Sequence, residues 1–372
     1  MQKISTFQAV SLLINTVMPT AILIVPAAAI AIASQDAWMS VLLAVVYGVL
    51  LVLLYGAISK SNRRARPFLE FVRERLGWPT AIAVGFILFI NYLTMTAGVL
   101  REYINFLSDE VLPKTPGYIL CVLTLIVVLY SVSHGLEVIA RTSAVVFAVS
   151  YLSMGVTFGL LLSMAHWSNL LPPSGIDANK IILGSLPSSN WLSEASFLLL
   201  LAPYLSKAGD ARKTGLWAIL SSGALLLSII VLTITVLGPD LPRMLTYPTF
   251  MIIGMLQYGT FLQRIESIFI AVWIFTVYVK LAVLMFGTVH TFVHTFRIRS
   301  VRPFLIVLGL IVMFIALFEW PDTLSSYEFN QSTMTTSFFF YNAIIPMLLW
   351  IALLFTKDRT GKGGEEIAKK MG

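Results

Sequence analysis

The sequence predicts an all-α integral membrane protein of about ten transmembrane helices, arranged as a five-plus-five inverted repeat with broken helices 1 and 6. Three observations lead there. Of 372 residues, 58% are hydrophobic and only 12% charged, far from a soluble balance. Apolar stretches of about 20 residues, the length a helix needs to cross a bilayer, recur between charged clusters along the whole chain. The basic residues alternate between connections rather than forming one patch.

Hydropathy places the spans roughly at 7–33, 38–58, 80–107, 117–133, 138–164, 187–206, 214–238, 263–296, 302–320 and 336–356. Residues 1–356 are thus one membrane domain, with repeats at roughly 7–164 and 187–356, and 357–372 read as a disordered cytoplasmic tail. With the N-terminus inside, 19 of the 25 basic residues fall on the cytoplasmic side, including Lys60, Arg63, Arg64, Arg66, Arg73 and Arg75 in one connection. Only Lys114, Lys180 and Arg243 fall in outside loops, so the positive-inside rule puts both termini in the cytoplasm. The net charge of +7 is therefore topological and excludes a nucleic-acid footprint. A cleaved signal peptide is disfavoured, because removing the first run would invert every later loop against the charge rule. Cys121, the single cysteine, excludes intramolecular disulfides.

The helix inventory repeats with period five. The third and eighth spans are both unusually long. The second-to-third connection, SNRRARPFLEFVRERLGW, is amphipathic, and its counterpart five helices later, PDLPRMLTYPTFMIIGMLQYGTF, is also partly apolar. An odd number of crossings per repeat turns the second half upside down. In such folds the first helix of each half is interrupted, and the freed backbone groups bind a solute at mid-membrane depth. Pro19 lacks an amide N–H, which places the first break at Val17, Met18, Pro19, Thr20 and Ala21. The turn starting at Thr20 would then present N–H groups to a carboxylate. The sixth span carries matching breakers, Pro187 and Ser188-Ser189-Asn190, followed by Glu194 and Pro203.

Charges inside apolar spans cost about 2.5–3.5 kcal/mol each at mid-membrane, so they are functional candidates. Glu194, beside the second break, is read as the partner of a ligand ammonium or a proton carrier, with a packing ion pair as the alternative. Lys280, one turn beyond Thr276, is read as a substitute for a bound cation, again with a structural ion pair as the alternative. Arg101 and Glu102 point about 100° apart on the third helix and do not pair with each other. Together with Arg264 and Glu266 at the start of the eighth helix they are candidates for coupling or gating. Gln8, Ser11 and Asn15 form an i, i+3, i+7 stripe on the first helix, open to pocket lining or interhelical bonding. Asn91 is a ligand candidate, with Tyr92, Thr94 and Thr96 beside it on the third helix. The pair His290 and His294 lacks the glutamate of a metalloprotease motif and the tail TGKGGEE lacks the features of a P-loop, so neither a metal site nor an enzyme is expected.

Several separated motifs occur in order: MQKISTFQ, PTAILIVPA, SQDAWMS with Asp36 and Trp38, Glu194 followed by APYL and KAGDARK, and RIESIFIAVWIFTVYVK at 264–280. In these the chain resembles the spore germination receptor B-subunit family (endospore germination permeases) of the amino acid, polyamine and organocation transporter superfamily. The resemblance implies a germinant-sensing subunit binding a nutrient, an amino acid in the first place, with no cofactor. It implies a receptor A subunit and a C-subunit lipoprotein as partners, in the spore inner membrane. Transporters of the superfamily often carry glycines at the first break where Pro19 and Thr20 stand here, so transport is not carried over. An autonomous secondary amino acid transporter, proton coupled through Glu194 or Lys280, is the alternative reading, and a ligand-free scaffold bundle a third.

Overall fold

The structure, a computed structural model, describes residues 3–171, 177–256, 265–298, 300–320 and 333–356, together with Thr323, Ser325 and Phe329. The described residues are almost entirely helical, and the only β pairing among them is an isolated bridge between Ile4 and Leu205. Where it is described, each stretch marked by hydropathy is occupied by helix. The elements are α1 (Thr6–Ala33), α2 (Ala37–Ser61), the amphipathic α3 (Phe68–Leu76), α4 (Trp78–Phe106), α5 (Gly117–Ser133), α6 (Leu136–Leu161) and α7 (Ala178–Ser193). After these come α8 (Leu198–Leu201), α9 (Ala211–Leu237), α10 (Pro248–Gly254), α11 (Ile265–Phe296), α12 (Arg302–Phe318), α13 (Thr335–Phe339) and α14 (Ile345–Phe355). At least six helical runs are long and apolar enough to cross a membrane, and α5 and α12 are shorter apolar helices. The tail 357–372 and Arg264 lie outside the described residues.

The first helix corrects the expectation of an unwound segment: α1 runs unbroken from Thr6 to Ala33 with Pro19 and Pro26 inside it. A proline leaves the carbonyl four residues earlier without its helical donor. For Pro26 that carbonyl is Ile22 O, and Thr249 Oγ1 of α10 donates to it at 2.6 Å. Trp273 Nε1 of α11 donates to the carbonyl of Pro19 itself at 2.7 Å, which ties α11 to α1 at this point; the carbonyl that Pro19 deprives of a helical donor is Asn15 O. At Pro26 a neighbouring helix thus satisfies the backbone that proline disturbs, in a medium that offers no water, and α1 stays whole. Val17, Met18, Pro19, Thr20 and Ala21 are buried residues of a continuous helix, and no free N–H cradle opens at Thr20. Thr249→Val is expected to lower stability by about 0.6–1.7 kcal/mol, read as thermal unfolding of the purified protein. An unchanged midpoint would show that Ile22 O needs no such donor.

The sixth span also differs. It begins at Ala178, capped by Asp177 Oδ1 accepting from Asn179 N at 3.0 Å, so Pro187 and Ser188-Ser189-Asn190 lie within α7 rather than at a break. The irregular stretch comes later, as a 3-10 turn over Glu194–Phe197. Opposite it, the last span contains a π turn over Phe340–Ile344. Asn342 in that turn joins the two: Nδ2 donates to Ser193 Oγ at 2.9 Å and Oδ1 accepts from Ser196 Oγ at 2.7 Å.

α1 is buried at the centre, against α7, α9, α11 and α6. α2 lies against α9 through glycines. A Cβ on Gly223 would sit 2.3 Å from Val45 Cγ2, and one on Gly215 would sit 2.6 Å from Val52 Cγ1. Without a hydrophobic effect between helices in lipid, such close backbone approach is what holds them together. Gly223→Leu is therefore expected to destabilise by about 1–3 kcal/mol in thermal unfolding. A variant as stable as the parent would mean that α2 and α9 separate at little cost.

Segments expected on one side of the membrane do meet. Lys3 Nζ donates to Leu205 O at 3.3 Å, Thr6 Oγ1 donates to Asp210 Oδ2 at 2.8 Å, and Arg75 donates to Thr356 O at 3.0 Å. At the other end, Arg243 reaches Ser34 Oγ at 2.5 Å and Thr323 Oγ1 reaches Asp109 Oδ2 at 3.0 Å.

Candidate functional site

Three residues far apart in sequence, Glu194 and Lys280 singled out as charges and Thr20 through the break expected at Pro19, meet at the centre of the bundle. Lys280 Nζ on α11 donates to Glu194 Oε1 and Oε2 at 2.9 and 2.8 Å and to Thr20 Oγ1 at 2.9 Å. The ammonium has three protons, and three acceptors meet it. It also lies 4.5 Å from the centroid of the Trp191 ring, within cation–π range. All of this is sealed: Lys280 is 0% exposed, Glu194 2% and Thr20 1%. Two isolated charges at this depth would each be costly, and the charge-assisted bonds between them offset much of that cost. The 3-10 turn sets the carboxylate beyond the end of α7, and Trp191, three residues earlier, carries the ring that covers the ammonium. The ion pair that was the alternative reading for both charges is thus present, and its ammonium sits as a fixed cation between α1, α7 and α11.

A small cavity, apolar over most of its wall but edged by several polar side chains and hence termed the polar cavity, adjoins Thr20. Its wall includes Glu102, Asn105 and Phe106 of α4, Thr246 and Tyr247 before α10, and Trp273 of α11. Glu102 is buried, and its carboxylate is the acidic group of this wall. The volume, about 30 Å³, is room for a water or two, so a larger guest requires these helices to separate. On the far side of Trp273 lies a second small cavity, lined by Asn15, Met18, Pro19, Tyr151, Thr157 and Thr276 among others. Trp273 is common to both and partitions them, held by its bond to Pro19 O and by the ring of Phe106 at 4.5 Å. The Tyr151 hydroxyl, buried in that second wall, has no hydrogen-bond partner among the described residues.

The remaining candidates are dispersed. Thr276 does not join the ion pair; its hydroxyl donates to Trp273 O at 2.7 Å. Asn91 is buried on α4 and makes no hydrogen bond to Glu194 or Lys280; its carbonyl accepts from Thr94 Oγ1 at 3.0 Å. Arg101 is half-buried beside Glu102. Glu266 is half-buried at the start of α11, about 21 Å along the helix from Lys280 at 1.5 Å per residue, and so belongs to no common site with it. The stripe on α1 divides. Gln8 forms a capping box with Ser5, Ser11 bonds back to Phe7 O, and only Asn15 reaches across, donating to Ser143 O and Oγ at 3.0 Å. The rings of His290 and His294 lie 4.3 Å apart, but His290 Nε2 meets the Tyr204 hydroxyl at 3.0 Å and His294 Nδ1 meets Glu70 Oε1 at 3.3 Å. Separate partners hold the two imidazoles.

Residue-type reasoning overlooked Trp191, Trp273, Asn105 and Asn342. A signal existed for the first two: Trp191 stands at i−3 from Glu194, and Trp273, Thr276 and Lys280 follow i, i+3, i+7 on one helical face. For Asn342 and Asn105 neither charge nor spacing gave notice.

Comparison with known proteins agrees with this architecture. Spore germination protein KB of Bacillus subtilis is 24% identical over 375 residues, covering 99% of both chains. Spore germination protein A2 of the same species is 22% identical over 361 residues, covering 95% of both. Among solved structures, the substrate-bound outward-open state of a Na+-coupled sialic acid symporter superposes with a TM-score of 0.65 at 12% identity, over 92% of this chain and 79% of that one. MhsT in complex with L-phenylalanine gives 0.65 at 14% identity, over 95% of this chain and 96% of that one. These likenesses establish the fold as that of inverted-repeat transporters. The family model for spore germination proteins matches residues 3–323, and the chain belongs to that family.

Proposed function

We propose that this chain is the nutrient-sensing membrane subunit of a spore germination receptor, and that the polar cavity beside Thr20 is where a small amino acid enters. The observation that carries this reading is a carboxylate, Glu102, and a hydroxyl, Thr20, facing one cavity whose neighbouring charge is already neutralised by the Lys280–Glu194 pair. The Glu102 carboxylate lines this cavity, and an incoming ammonium meets it there, with Phe106, Tyr247 and Trp273 as aromatic walls. Binding parts α4, α10 and α11, turns Trp273 and so breaks its bond to Pro19. Movement of α1 is passed to partner proteins, for which the receptor A subunit and the C-subunit lipoprotein are the proposed candidates. The basic asymmetry of the loops supports both termini on the core side of the spore inner membrane. No catalytic role is proposed.

A panel of amino acids screened by thermal unfolding of the purified protein tests this reading. A ligand at about 100 times its Kd stabilises by about 2.7 kcal/mol. No stabilisation by any nutrient that germinates the parent spores would refute it. The second reading, an autonomous transporter, is favoured by the fold shared with a symporter. Uptake of the labelled stabilising amino acid into liposomes separates the two, since a sensor binds without net flux.

A further inference from the structure

A larger cavity, about 220 Å³, lies between the C-terminal half of α1, α7 and α13. Its wall is largely apolar, with Ile24, Ala28, Ile32, Leu186, Trp191 and Phe338 prominent, and none of the described lining residues is charged. A zwitterion would leave both charges unpaired there, so an amino acid is the wrong guest. An apolar cavity of about 150 Å³ stays dry and takes benzene, so this one has room for a bicyclic ring. The rings of Trp191 and Phe338, edge to face at 5.8 Å, offer an aromatic guest the geometry it prefers. Besides the indole of Trp191, the polar residues of the described wall are Asn190 and Thr335, joined by Asn190 Nδ2 donating to Thr335 Oγ1 at 2.7 Å. That bond uses the amide's nitrogen and leaves Asn190 Oδ1 as an acceptor with no protein donor among the described residues.

We propose that this cavity is a second binding site, separate from the nutrient pocket, for a neutral aromatic molecule carrying one hydrogen-bond donor, such as indole or phenol. Its occupancy is felt at the centre of the protein by two routes. Trp191 lines the cavity and also carries the Lys280 ammonium at 4.5 Å from its ring centroid, and Ile24 lines both this cavity and the polar one. The site is thus a modulator of the sensor, not a competitor for its ligand.

The test uses the full chain purified in detergent, with indole as probe and thermal unfolding as readout. The expected result is a saturable rise in midpoint that 1-methylindole, which lacks the N–H, reproduces only at about tenfold higher concentration. Ala28→Phe, which fills the cavity, is expected to abolish the rise, and Asn190→Leu to make indole and 1-methylindole equivalent. If Ala28→Phe does not fold, Leu183→Trp on the exposed rim takes its place, and the comparison of the two probes needs no variant. A midpoint that changes linearly with indole, without saturation and equally for both probes, would mean partition into the micelle and would overturn the proposal. So would an undiminished indole response in the filled variant. Glu102→Gln separates this proposal from the nutrient pocket: it is expected to retain the indole response whether or not amino acid binding is lost.

Discussion

Lys280→Met is expected to destabilise the protein by about 3–5 kcal/mol, because it leaves the Glu194 carboxylate buried with no counter-charge. Glu194 is 2% exposed and its two oxygens accept hydrogen bonds from Lys280, so nothing in the folded protein replaces the ammonium. Thr20 loses its donor in the same step. The companion variant Lys280→Met/Glu194→Leu removes both charges and is expected to recover most of the loss, since a well-packed apolar pair is often as stable as a buried ion pair. Thermal unfolding of the parent, the two single variants and the double variant closes the cycle, and the coupling should exceed the roughly 0.5 kcal/mol expected of independent sites. A single Lys280→Met variant with the parent's midpoint would show that the pair does not hold the helices together. Germination by spores carrying the double variant then asks a separate question, whether the fixed cation is needed for signalling or only for folding.

Glu102→Gln is expected to shift the nutrient dose response of germination by about 10- to 150-fold, the loss of a hydrogen bond to a charged group worth about 1.5–3 kcal/mol. The substitution keeps the size and polarity of the side chain, so the fold should be retained within about 1 kcal/mol. Thr20→Leu, on the opposite side of the same cavity, is expected to weaken the response by filling the space. The measurement is the nutrient concentration giving half-maximal germination, together with protein abundance in the spore membrane. Unchanged sensitivity in both variants at normal abundance would remove the polar cavity as the nutrient site.

Most of the architecture was legible because a bilayer imposes its rules on sequence. Apolar length, loop charge and the period of five needed no tertiary information, and Lys3 meets Leu205 and Arg75 meets Thr356, as segments expected on a common side should. The breaks were misplaced for a physical reason. Proline marks where a helix loses a donor, but whether the helix unwinds depends on what neighbouring helices offer. Thr249, more than 220 residues from Ile22, supplies the donor lost at Pro26, and nothing in the sequence around the proline reveals it.

By itself, the sequence determined that the chain is a bundle of membrane helices in two opposed halves, with Glu194 and Lys280 as charges too costly to bury without purpose and Thr20 marked only through the break expected beside Pro19. Hydrophobic length and the expense of a charge in hydrocarbon are properties of single residues and short windows, and so can be read in one dimension. Only the tertiary structure decided that those three residues are one another's partners, that Glu102 and not Glu194 faces the polar cavity, and that Trp191 and Trp273 border the cavities around them. Hydrogen bonds and cavities arise from the relative placement of helices, and that placement follows from packing across the whole bundle.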